Sequence, residues 1–218
     1  MKYSLWIVPP QPHFNEIYSK IEHLAQVNDS PPFIPHITLK GGIELELSGE
    51  EDHDVSVAAL LEDLKNEFRS FGVNDNAGCG GIPCKFVRSK GFVSGYDDEK
   101  GELVWSQACV GIIERNEKLL EALDRAETCL SNSKYVIANK NVDFKPPLGE
   151  PHLSFVYKSS AVQLMDMIDE KDTKNYNSNV NNLDLPQDFI ANKIVMAKTH
   201  PSTIEGVSSW KIVGSFLI

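Results

Sequence analysis

What this 218-residue chain lacks narrows its possibilities first. No apolar run approaches the roughly 20 residues that span a bilayer, so no membrane-crossing helix is expected. Basic residues are few: 21 Lys and Arg stand against 31 Asp and Glu, a formal charge of −10. Long nucleic acids are held largely by neutralising their phosphates, and an acidic chain suits them poorly. A local pocket can still hold one or two phosphates, so the partner expected is a small nucleotide. Cysteine is scarce, and Cys79, Cys84, Cys109 and Cys129 follow no zinc spacing and form no Cys-x-x-Cys pair. They read as free thiols of a reducing compartment, with a Cys79–Cys84 bridge left open. The sequence has no His-Glu-x-x-His, no Gly-x-Ser-x-Gly and no P-loop, since Gly41-Gly42 is only a pair. These absences count against a zinc hydrolase, a serine hydrolase of the nucleophile-elbow type and a nucleotide triphosphatase. The opening Met-Lys-Tyr-Ser-Leu-Trp-Ile-Val-Pro-Pro reads as a strand and not a signal peptide. Without a sorting signal a cytoplasmic protein is expected, and without a sign of an obligate partner, a monomer.

What is present suits a globular chain, with 41% hydrophobic and 24% charged residues and enough length for one core. Strand-like stretches are Ser4 to Val8, the segment around His36, Lys85 to Ser94, Leu103 to Ile113, the segment around His152, Ile190 to Lys198 and Ser209 to Ile218. Apolar spacing predicts helices over Phe14 to Val27, Val55 to Phe71, Glu114 to Leu130 and Ala161 to Glu170. Glu44 to Asp54, Asn74 to Pro83 and Asn175 to Asn182 read as polar or glycine-rich connections. The order βαβα-ββ-αβα-ββ is that of an α+β protein with two antiparallel sheets and outer helices in one domain over residues 1–218. In each half a histidine strand follows one helix and precedes another, a weak repeat of structure without repeated sequence.

The chemistry lies in that repeat. Pro35-His36-Ile37-Thr38 and Pro151-His152-Leu153-Ser154 each place a hydroxyl two residues after a histidine, in an apolar strand. Alternation along a strand puts residues i and i+2 on one face. Each motif therefore offers an imidazole and a hydroxyl to the same space. Histidine titrates near neutral pH, so one imidazole can accept a proton while the other donates. Thr38 and Ser154 can donate hydrogen bonds to phosphoryl oxygens. Trp6, Trp105 and Tyr157 are candidates to stack on a base or reach a phosphate, although strict alternation puts Tyr157 opposite His152. Lys40 shares the parity of His36 and Thr38 and could lean toward an anion. His13, His23, His53 and His200 are scattered and read as surface residues.

The paired motifs resemble the 2H phosphoesterase superfamily, and more narrowly its cyclic phosphodiesterase branch, including the fungal 2',3'-cyclic-nucleotide 3'-phosphodiesterases. The likeness extends to Tyr3-Ser-Leu-Trp6-Ile-Val-Pro9, Phe33-Ile-Pro-His36-Ile-Thr38, Pro151-His152-Leu-Ser154-Phe-Val-Tyr157 and Ala197-Lys-Thr199. The resemblance implies a bilobal, pseudo-twofold fold with both motifs lining a central cleft and no metal cofactor. It implies hydrolysis of ribose cyclic phosphates: ADP-ribose 1'',2''-cyclic phosphate, a by-product of tRNA splicing, and nucleoside 2',3'-cyclic phosphates. By the same resemblance His36 and His152 are catalytic, with His152 favoured as the base, and Thr38, Ser154, Tyr157, Trp6 and Trp105 bind substrate. The acidic stretch, the Gly78–Pro83 loop and the Asn-rich run depart from the family and bear on the rim of the cleft. Three other readings stand beside this one: a 2',5'-phosphodiesterase or RNA-end exonuclease on the same scaffold, a nucleotide-binding protein without activity, and a metal-dependent phosphodiesterase, which EDTA would inactivate.

Overall fold

The structure is a computed structural model that describes residues 2–45, 52–71, 80–97, 102–137, 150–158, 186–200 and 204–218. Among these, β1 (Lys2–Ile7), α1 (His13–Val27), β2 (Ile37–Glu44), α2 (Asp52–Glu67), β3 (Ile82–Cys84), β4 (Phe86–Asp97) and β5 (Glu102–Ile113) come first. Then follow α3 (Glu117–Asn132), β6 (His152–Lys158), β7 (Phe189–Ala191), β8 (Lys193–Lys198), α4 (Ile204–Val207) and β9 (Lys211–Leu217). Seven strands form one sheet in the order β4-β5-β6-β2-β1-β8-β9, and β3 pairs with β7 in a two-stranded sheet. Every pairing is antiparallel. The α+β class and the two antiparallel sheets follow the sequence pattern, but the sheets are very unequal. The two halves of the chain meet edge to edge inside the large sheet, where β2 and β6 pair at Ile37 opposite Leu153.

Alternation along β1 separates the two faces of this sheet. Tyr3, Leu5 and Ile7 join the main core, while Trp6 and Val8 join a smaller cluster with Val195 and Ala197 of β8. Ile17 and Ile21 of α1 bring an apolar stripe to the main core, as do Leu60 and Leu64 of α2 and Leu119, Ala122, Ala126 and Leu130 of α3. Ile37 and Leu153 are fully buried there, so the seam is anchored from the core side. Burying a side chain of that size is worth about 2–3 kcal/mol each.

Several boundaries differ from the sequence expectation for local reasons. The third helix starts at Glu117 because Asn116 caps it, its side chain accepting from the Leu119 amide at 3.0 Å. Glu114, expected inside that helix, instead extends the strand pairing, its amide donating to the Lys85 carbonyl at 2.8 Å. The second helix ends at Glu67 and tightens into a 3-10 turn over Phe68–Ser70. The expected strand from Ile190 to Lys198 breaks at Asn192, where β7 leaves for the small sheet and the Asn192 carbonyl accepts from the Ile218 amide at 3.0 Å. Gly81 opens that small sheet with φ 153°, and a Cβ there would stand 2.6 Å from the Ile190 side chain and 3.0 Å from the Ala191 carbonyl. Only glycine allows the two strands so close at that point. The helix expected over residues 161–170, the polar run 175–182 and most of the acidic and glycine-rich connections lie outside the described residues. Among the described residues no helix is long and apolar enough to cross a membrane.

Candidate active site

The two histidine motifs are neighbours. With Ile37 opposite Leu153 in an antiparallel pair, one step in either direction along the strands sets His36 level with Ser154 and Thr38 level with His152. Ile37 and Leu153 point into the core, so the four polar side chains share the opposite face. Each imidazole thus sits across from the other motif's hydroxyl, and an approximate twofold axis passes through the Ile37–Leu153 pair.

Both rings are fixed in the same way. His36 Nδ1 donates to the Ile34 carbonyl at 2.7 Å, and His152 Nδ1 donates to the Glu150 carbonyl at 2.9 Å. In each case the acceptor lies two residues back, across Pro35 or Pro151. Proline restricts the residue before it to extended conformations, which holds that carbonyl in place. With Nδ1 committed, Nε2 of each ring is the atom available for proton transfer.

The surroundings of the two rings differ. The Trp6 indole stacks on His36, with centroids 3.8 Å apart and planes at 15°. Phe33 at 6.3 Å and Trp210 at 6.4 Å meet the same imidazole edge-on. His36 is only 4% exposed, and burial lowers its pKa to about 4; its hydrogen bond to Ile34 acts the other way, and the charge of His152 lowers it further. His152 is 9% exposed and lies opposite Ile112 of β5, next to Ser154 opposite Val110.

Tyr157 reaches this face despite its parity. Ser154 pairs with Val110 and Val156 with Cys109, so Phe155 is an extra residue in β6, a bulge that reverses the alternation beyond it. The Tyr157 hydroxyl is then within hydrogen-bond reach of Ser154 and of Gln107, the residue opposite it on β5. Burial raises the Tyr157 pKa, against the lowering effect of those two hydrogen bonds.

Two other expectations, for Trp6 and Lys40, need correcting. Trp6 lies at the site, but at 1% exposure and stacked on His36 it is a wall behind the imidazole and leaves no open face for a base. Lys40 pairs with Glu127 of α3 and does not lean toward an anion beside Thr38. Its register explains this: Leu5 pairs with Lys40 but Trp6 with Thr38, so Leu39 is an extra residue that breaks the parity of Thr38 and Lys40. Trp105 lies on β5, and its side chain is outside the described residues. The Cys79–Cys84 alternative closes in favour of thiols at Cys84, Cys109 and Cys129, all free. Burial pushes Cys84 and Cys109 up to about 12, so they are poor nucleophiles.

Two residues at the site were not singled out from the sequence. Gln107 depends on a cross-strand register, and Trp210 on a connection folding back over the sheet; neither has a local signature. Trp210 stands 6.0 Å from Trp6 and 5.9 Å from Tyr157, ring centre to ring centre. Farther along this face Ser4 and Thr199 are joined by a 3.1 Å hydrogen bond between their hydroxyls.

Among solved structures, the chain is similar to Usb1 from Kluyveromyces marxianus, at 10% identity and TM-score 0.45 with 97% of each chain covered. It is also similar to TT0787 of Thermus thermophilus, at 11% identity and TM-score 0.42 over 100% of this chain and 97% of that one. Escherichia coli LigT complexed with phosphate matches at 10% identity and TM-score 0.39, with coverage of 99% and 96%. At such scores these likenesses carry no argument about chemistry. No curated protein matches the chain in sequence. Residues 1–75, which contain Trp6, His36 and Thr38, match the family model described as cyclic phosphodiesterase-like protein, and by that stretch the chain is similar to proteins of that description.

Proposed function

We propose that this protein is a phosphodiesterase that opens cyclic phosphates on ribose. The family likeness of residues 1–75 supports phosphodiester hydrolysis. The observation that carries the finer reading is the opposed pairing of two His-x-hydroxyl strands at Ile37 and Leu153, with both Nδ1 atoms tied back. The substrates are a nucleoside 2',3'-cyclic phosphate, opened to the 2'-phosphate, and ADP-ribose 1'',2''-cyclic phosphate, opened to the 1''-phosphate. Thr38 and Ser154 donate to the non-bridging oxygens. His36, kept neutral by burial, takes a proton from the attacking water through Nε2. His152 carries a proton and gives it to the departing ribose oxygen as the phosphorus–oxygen bond breaks. One water is consumed, and the protons exchange with solvent to reset the site. This assignment reverses the sequence-based preference for His152 as the base, because desolvation disfavours charge on His36 more than any other influence on it.

The test is phosphorus NMR of the purified protein with a nucleoside 2',3'-cyclic phosphate in excess EDTA. The expected result is a single 2'-phosphomonoester signal that forms at least about 100-fold more slowly with His152→Gln. An unchanged substrate signal with the native chain, or full activity in that variant, would sink the proposal.

A further inference from the structure

Gln107 is 6% exposed and lies directly opposite Tyr157 across the β5–β6 pair. Its Nε2 donates to the Tyr157 hydroxyl at 3.5 Å, and its Oε1 is buried without a hydrogen-bond partner among the described residues. Such an orphan acceptor is rare, since a buried carbonyl oxygen left unpaired loses its hydration without return. Tyr157 in turn hydrogen-bonds Ser154, so Gln107 is linked to the Ser154 hydroxyl through one side chain. A ligand whose phosphate lies between His36 and His152 has its sugar and base one group farther out. We propose that Gln107 is a substrate-binding residue for the nucleoside, its Oε1 accepting a hydrogen bond from an O–H or N–H of the sugar or base. This inference rests on the cyclic-nucleotide reading above.

A merely structural Gln107, holding Tyr157 in place, would affect every substrate alike. The readout is therefore a ratio: kcat/KM for cytidine 2',3'-cyclic phosphate divided by kcat/KM for glycerol 1,2-cyclic phosphate, which has no nucleoside. Any loss through Tyr157 cancels from it. Gln107→Leu and the unbranched Gln107→Met, the second in case the first does not fold, lower the ratio roughly tenfold. Gln107→Glu keeps an acceptor and holds the ratio within about twofold of the native value. A ratio unchanged in the Leu and Met variants, or lost equally in Glu, overturns the proposal. A native chain that hydrolyses neither compound removes the cyclic-nucleotide reading itself, and the proposal with it.

Discussion

Under the proposed function, His36 ties catalysis to stability through one proton. Its folded pKa is lowered to about 4 from 6.5, mainly by burial under Trp6. Between those values the unfolded chain binds a proton that the folded chain does not, so stability falls as pH drops from 6.5 to about 4 and then levels off. Above 6.5 the effect vanishes, because both states are neutral. The full loss is on the order of 3 kcal/mol. In urea unfolding at stepped pH, His36→Gln should show a shallower acid slope than the native chain. Equal slopes would mean that the folded imidazole titrates normally.

The connection from β8 to β9 determines how dry that imidazole is. Ser209 donates to the Gly206 carbonyl through both its amide, at 2.9 Å, and its hydroxyl, at 2.7 Å, and the Trp210 amide follows onto Val207 at 3.2 Å. These turns aim the indole back at His36, Trp6 and Tyr157. Trp210→Ala should admit water, raise the His36 pKa from about 4 toward 6.5, and move the acid limb of kcat/KM to higher pH. A pH–rate profile with an unmoved acid limb would show that Trp210 does not contribute to that desolvation. Elements of this kind explain what the sequence could and could not convey. Strands and helices with strong periodicity, such as β1, α1 and β5, are legible because their apolar spacing is local. That the His36 and His152 strands lie side by side is inferable only from the repeated motif. The bulges at Leu39 and Phe155 were not legible, because an extra residue is defined against a partner strand, and they decide that Tyr157 turns in and Lys40 turns away. The cap at Asn116 has a recognisable residue type, yet the helical pattern also tolerates a start at Glu114, and only the bond to Leu119 selects the later one.

At the scale of the whole molecule, the charge of −10 opposes an anionic substrate. Added salt screens that repulsion, so kcat/KM for a cyclic nucleotide should rise modestly, by less than about threefold, between low and physiological ionic strength. A fall with salt would instead reveal a basic entry path. The seam between the two halves of the sheet has a chemical corollary. Were the site truly symmetric about Ile37 and Leu153, a diester could lie across it in either direction, and either of its two bridging oxygens could leave. Under the proposed mechanism, the dry ring always faces the incoming water and the wetter one the leaving oxygen. The regiochemistry of ring opening is thus chosen by an indole stacked behind the reaction, and exchanging the environments of the two histidines would exchange the product isomer.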